Sequence, residues 1–205
     1  LIDERGGADI TPRAGRNARR LDTRSISVAP GERALVRFTF APDTADRLSA
    51  GNYTQNLFLA VEDAAGGALA QQPVTLSLNV ISTALMGLKG QFQRSNGVAN
   101  IDLGELQPGL RPLRTSLFVL STAGYSVSVT SANAGQLRLG QSDWYVDYSL
   151  GLDNRWMDLK TVSTLTQPSQ AARADDYDLS VEIGSVAGKR AGNYSDTVTF
   201  TISAL

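Results

Sequence analysis

The chain has 205 residues, with 19 Lys and Arg against 20 Asp and Glu for a formal net charge of −1, and it contains no histidine and no cysteine. That balance excludes a strongly basic surface for nucleic acid or an anionic membrane; the absent residues exclude Ser-His-Asp and Cys-His nucleophiles, disulfides and thiolate zinc sites. No apolar run approaches the roughly 20 residues of a spanning helix, and the length suits two sandwich domains of about 100 residues each.

Taken in order, the first two dozen residues are irregular, broken by Gly6, Gly7, Pro12 and Gly15, and their arginines Arg13, Arg16, Arg19, Arg20 and Arg24 read as a solvated loop rather than a contact for an anionic partner. From Arg24 the pattern hardens. Ser25 to Val28 reads as a short strand, Pro30-Gly31 as a turn, and Val36, Phe38 and Phe40 alternate with Arg37 and Thr39 as a longer, half-buried strand. Asp43 to Leu48 connects to a strand opened by Tyr53, which Gly66-Gly67 turns back into Val74, Leu76, Leu78 and Val80. Val36, Phe38, Phe40, Leu57, Leu59, Val74, Leu76 and Leu78 are expected to share one core. A sandwich needs strands ahead of Arg24 that this sequence does not supply, so the first domain, residues 1–83, is expected to be incomplete at its N-terminus.

Ile81 to Leu85 reads as a compact junction, without Gly or Pro, to a second domain over residues 84–205. There Met86, Leu88 and Phe92 come first, Leu113 to Leu120 carries apolar residues on both faces, and Tyr125, Val127 and Val129 alternate with Ser126, Ser128 and Thr130. Trp144, Val146, Tyr148 and Leu150 share a parity that points to the core. Thr161 to Asp176 reads as a polar connection, before Tyr177, Leu179, Val181 and Ile183 form another strand.

The last stretch repeats an earlier one. Ala191-Gly192-Asn193-Tyr194 and Ala50-Gly51-Asn52-Tyr53 are identical, and each runs into a β-rich segment. In the later copy Val198, Phe200 and Ile202 fall on one face and Thr197, Thr199 and Thr201 on the other. The tyrosine suits a sandwich corner, where its hydroxyl bonds nearby backbone. The fold expected is all-β: two immunoglobulin-like sandwiches, the second lacking its last strand.

No pattern points to catalysis or to a metal. Asp143, Asp147, Asp153 and Asp158 sit in alternating and turn positions that face solvent rather than forming a glycosidase pair. Asp175, Asp176 and Asp178 lack the spacing of a calcium loop. The sequence therefore predicts a non-enzymatic protein with no cofactor. Among the aromatics Tyr145 and Trp156 remain as weak candidates for a ligand contact, stacking on a sugar.

Asp102-Leu103-Gly104, Leu117-Phe118-Val119, Gly124-Tyr125-Ser126-Val127, Tyr148-Ser149-Leu150 and the closing Ala191-Gly192-Asn193-Tyr194-Ser195-Asp196-Thr197-Val198-Thr199 resemble the spore coat protein U domain family. That family includes subunits and tip proteins of archaic chaperone-usher pili, and the resemblance covers the second half of the chain. It departs in the missing cysteines and in Leu1 to Ile10, which is no donor strand. The resemblance implies a secreted, cell-surface fibre protein whose two domains match a tip subunit. Its pilin domain lacks the last strand and accepts one from a periplasmic chaperone and then from an adjacent pilus subunit, with a surface receptor as a further partner. The groove residues so implied are Tyr194, Val198, Phe200 and Ile202. The competing reading is a self-contained two-domain secreted or periplasmic sandwich, for example a glycan-binding module.

Overall fold

The computed structural model describes residues 2–3, 26–37 and 48–205. Among them there is no helix, so none is long and apolar enough to cross a membrane. Backbone contacts divide the chain into Leu1–Asp46 and Arg47–Leu205; the expected 83/84 boundary falls inside the latter, between a hairpin and a sandwich.

In the first unit β1 (Ile2–Asp3) pairs antiparallel with β2 (Val36–Arg37). Residues 26–28 form no strand, and the Pro30-Gly31 turn is closed by the Glu32 amide donating to the Ala29 carbonyl at 3.0 Å. Phe38 and Phe40 lie outside the described residues, as does the arginine cluster.

The second unit opens with a long ribbon, β3 (Gly51–Glu62) against β4 (Ala68–Val80). Asp63 organises its turn, Oδ1 accepting the amides of Ala65 and Gly67 at 2.9 and 2.7 Å. The ribbon pairs with no other described strand. Leu57, Val74, Leu76 and Leu78 are half-buried on one face, whereas Leu59 is 51 % exposed. Val36, Phe38 and Phe40 of the expected first core cannot be placed against this face from the described residues, whose fully buried apolar side chains run from Leu117 to Ile183. Among the described residues the ribbon is one layer, which is why its apolar face is half-buried rather than buried.

The remaining strands make the sandwich. They are β5 (Ala84–Gly90), β6 (Gln93–Ser95), β7 (Val98–Asn100), β8 (Gly109–Ser121), β9 (Tyr125–Ser131), β10 (Gln136–Leu139), β11 (Tyr145–Leu152), β12 (Arg155–Met157), β13 (Ser163–Gln167), β14 (Arg173–Ile183), β15 (Tyr194–Ser195) and β16 (Val198–Ala204). One sheet has the order β15-β10-β11-β14-β8-β5 with β12 on β11, the other the order β13-β9-β16, while β6 and β7 form a separate small ribbon. Period-two burial shows why these sequences are strands. On β9 the inward Tyr125, Val127 and Val129 are 0 % exposed, and the residues between them are half-buried. Leu117, Val119, Leu150, Leu179, Val181 and Ile183 meet them from the other sheet.

Two expectations fail here for local reasons. Residues 161–176 are not one connection, because Ser163–Gln167 pairs with β9 and buries Leu165 to 3 % exposure. Trp144 is 41 % exposed, outside the core. Its carbonyl accepts the Leu139 amide at 3.0 Å, closing the β10–β11 turn, so it lies ahead of the pleat that its parity assumes.

One polar cluster runs from the buried Tyr125 and Tyr177 to the half-buried Asp175 and Arg173. Tyr125 donates its hydroxyl to Asp175 at 2.7 Å and therefore receives that of Tyr177 at 2.5 Å, while Arg173 Nε and Nη2 donate to Asp175 at 2.8 and 2.9 Å. The guanidinium holds the Asp175 carboxyl below the usual carboxylate range, with burial opposing it. The junction is a second such device. Thr122 donates its hydroxyl to the Ile81 carbonyl, accepts the Thr83 amide at its Oγ1 and donates its own amide to the Thr83 carbonyl, while its carbonyl accepts the Ala50 amide at 2.7 Å. The start of the ribbon and the start of β5 are thus tied to one residue.

Candidate functional site: the unpaired edge of β16

The repeat is structural as well as sequential. Gly51 and Gly192 both adopt positive φ, 149° and 153°, which a β-carbon disfavours. Two residues later the tyrosine hydroxyl reaches back four positions in each copy: Tyr53 to the Ser49 carbonyl at 2.9 Å, Tyr194 to the Arg190 carbonyl at 2.8 Å. The glycine turns the chain so that the ring can fold over its own approach. This is the corner bond that the sequence led us to expect.

After the tyrosine the copies diverge. The later one crosses between sheets, since Tyr194 sits on β15, paired with β10, and β16, which starts at Val198, joins β9. Asp196 makes the crossing: its Oδ2 accepts the hydroxyls of Ser131 at 2.5 Å and Tyr148 at 2.7 Å, and its Oδ1 accepts the amides of Asn133 at 3.0 Å and Thr197 at 2.7 Å. Ser131 Oγ in turn accepts the Gly135 amide at 2.8 Å. Burial first, and the bond to Asp196 second, push the Tyr148 hydroxyl pKa far up, which keeps it a donor. The carboxylate thus fixes where β16 begins against the β9–β10 turn. The earlier copy has Gln55 at this position and runs straight on as β3.

From that anchor β16 pairs with β9 in register, Val198 opposite Ser131, Phe200 opposite Val129 and Ile202 opposite Val127. On its other side no described strand pairs with it. The consequence is visible in burial: Val127 and Val129 are 0 % exposed, whereas Val198, Phe200 and Ile202, on the same face of the same sheet, are only half-buried. Across the opening runs β5, the edge of the larger sheet, whose backbone approaches β16 within 8 Å. Its inward residues Ala84, Met86 and Leu88 are also half-buried and pack against the same core. Two strand edges, one from each sheet, therefore bound an apolar groove.

Of the predicted groove residues, Val198, Phe200 and Ile202 come together, while Tyr194 stands at the corner on the other sheet. Ala84, Met86 and Leu88 complete the groove and were not singled out by sequence. The signal available was the even-numbered apolar spacing of Ala84, Met86 and Leu88, opposite the odd-numbered Leu117 and Val119. Tyr145 and Trp156 do not meet: Trp156 pairs with Gly151, six residues along β11 from Tyr145, or about 20 Å. Lys189 Nζ lies 4.6 Å from the Tyr145 ring centroid, and Trp156 is 46 % exposed. Asp175 and Asp176 point to opposite faces of β14, the latter to Lys89 at 2.6 Å.

No family model and no curated protein matches the chain. Among solved structures it is similar to a chaperone-tip adhesin complex of CFA/I fimbriae biogenesis, at 14 % identity and a TM-score of 0.43 over 77 % of this chain and 54 % of that one. It is also similar to the CsuC-CsuE chaperone-tip adhesion subunit pre-assembly complex from the archaic chaperone-usher Csu pili of Acinetobacter baumannii, at 15 % identity and a TM-score of 0.38 over 76 % of this chain and 60 % of that one. The chain thus spans less than two thirds of either.

Proposed function

We propose that this is a non-enzymatic subunit of a bacterial surface fibre, resembling a chaperone-usher tip subunit, and that the groove between β16 and β5 accepts a β-strand. The strand comes from a periplasmic chaperone during secretion and from the adjacent subunit in the fibre. The observation that carries this reading is the one-sided pairing of β16, which leaves Val198, Phe200 and Ile202 half-exposed beside a fully buried β9. A row of unpaired backbone groups flanking an apolar cleft is a template for strand addition.

Topology supports the same reading. The order β5-β8-β14-β11 matches strands A, B, E and D of an immunoglobulin sandwich, and β9-β16 matches C and F, so the seventh strand, G, belongs on the unpaired edge of β16. The repeat supplies an internal example, because the equivalent strand β3 carries β4 along its edge, Leu57 opposite Val74 and Tyr53 opposite Leu78. The closing motif from Ala191 to Thr199 resembles that of the spore coat protein U domain.

The test is thermal unfolding with a peptide copying Pro73 to Val80, beside one whose apolar alternation is shifted by a single residue. Saturating the groove at about a hundred times Kd adds roughly 2.7 kcal/mol, or roughly 5–10 °C in Tm for a chain of this size. Only the in-register peptide is expected to produce it. A monomeric chain that melts cooperatively and ignores both peptides would replace this proposal with a self-contained sandwich.

A further inference from the structure

A second site lies where β5 gives way to the small ribbon. Gln91, Phe92 and Gln93 on one side and Asn100, Ile101 and Asp102 on the other line a cleft of about 370 Å³ at the base of β6 and β7. Its frame is tied to β8: the Gln91 amide donates to the Arg114 carbonyl at 2.8 Å, and the buried Thr115 hydroxyl donates to the Gln91 carbonyl at 2.9 Å. Gly90, at φ 105°, allows that approach, since a β-carbon there would collide with the Arg114 carbonyl. Opposite, Asp102 Oδ1 accepts the Gly104 amide at 2.8 Å, and the Arg111 guanidinium donates to the carbonyls of Leu103 and Glu105. The backbone at the foot of each wall is therefore tied down.

The lining chemistry is selective. Gln91, Gln93 and Asn100 are exposed and their side-chain amides have no hydrogen-bond partner among the described residues, so three solvent-facing groups that both donate and accept are available. Phe92 and Ile101 are half-buried and supply an apolar wall, and the Arg94 guanidinium, 5.7 Å from the Phe92 ring centroid, steadies that ring. The lining holds one carboxylate and no cation. Amides and a carboxylate beside an aromatic match hydroxyl groups arrayed around a C–H surface.

We propose that this cleft binds a neutral saccharide ring, independently of strand acceptance at β16. Amide spectra of the full chain, titrated with methyl hexosides and N-acetylhexosamines and, as a charge control, a sugar acid, provide the test. The expected result is saturable shifts confined to residues 91–93 and 100–102, weaker for the acid. Gln93→Ala and Asn100→Ala should each weaken binding about fivefold, the loss of one neutral hydrogen bond, without moving Tm, while Tyr145→Ala and Trp156→Ala leave affinity unchanged. No saturable shift with any neutral sugar, shifts centred elsewhere, or affinities indifferent to Gln93→Ala and Asn100→Ala would each overturn the proposal.

Discussion

The two Ala-Gly-Asn-Tyr copies begin alike and are completed differently. Both place a glycine at positive φ and fold a tyrosine hydroxyl onto the carbonyl four residues back. Among the described residues, the earlier copy then meets β4 along its edge but has no second layer fully burying its face, and the later copy is packed into a sandwich but has an unpaired edge. A strand needs both lateral pairing and facial packing, and each copy displays one without the other. What separates them at the branch point is Asp196, where the earlier copy has Gln55.

Removing that branch point should have the largest effect. Asp196→Ala leaves the hydroxyls of Tyr148 and Ser131 and the amides of Asn133 and Thr197 without their acceptor, and a loss of about 3 kcal/mol is expected from stranding such donors. Gln55→Ala, at an exposed ribbon position, should cost less than about 0.5 kcal/mol. Urea unfolding of both variants checks this; equal losses would mean that the carboxylate does not distinguish the copies.

The next comparison sets the closed side of the small sheet against its open side. Val129→Ala, at a site of 0 % exposure, should cost about 2 kcal/mol with or without added peptide. Phe200→Ala, opposite it on β16, should cost clearly less than the roughly 3–5 kcal/mol of a fully buried phenylalanine while the edge is unpaired. That cost should rise when the in-register peptide is bound. A Phe200→Ala cost that is the same in both conditions would show that Phe200 does not face the incoming strand.

How much of this was legible in the sequence depends on how a residue is paired. Period-two runs such as Tyr125 to Val129 and Tyr177 to Ile183 predict their own strands and buried faces, because alternation is a local property. The repeat predicted the shared corner. Residues 163–167 were not legible, because a strand with a single inward leucine among polar residues differs little from a loop until β9 lies beside it. Half of the groove was missed for the same reason: Ala84, Met86 and Leu88 gain their role only from the approach of β16, far away in sequence. The half-buried face of the ribbon shows the converse. Apolar alternation in the ribbon was read correctly as strand, but alternation does not guarantee the second layer that buries it.

The smallest effect sharpens the comparison by pH. The Tyr148 pKa is raised in the folded state, by burial first and by its bond to Asp196 second, so folding favours the neutral phenol. For a group raised in this way the contribution to stability is complete below the unfolded value, about 10 for tyrosine, and declines as pH rises above it. Tyr125 is raised for similar reasons, by burial and then by its bonds to Tyr177 and Asp175, and adds to the same alkaline loss. Tyr148→Phe isolates one contribution from the other. The variant should lose about 1 kcal/mol at neutral pH, the worth of one hydrogen bond, and the gap to the parent chain should narrow above about pH 10, where the parent must hold a phenol that would otherwise ionise. If Tyr148→Phe tracks the parent in parallel through that range, the hydroxyl does not couple to Asp196, and the anchor that starts β16 rests on Ser131 and the backbone amides alone.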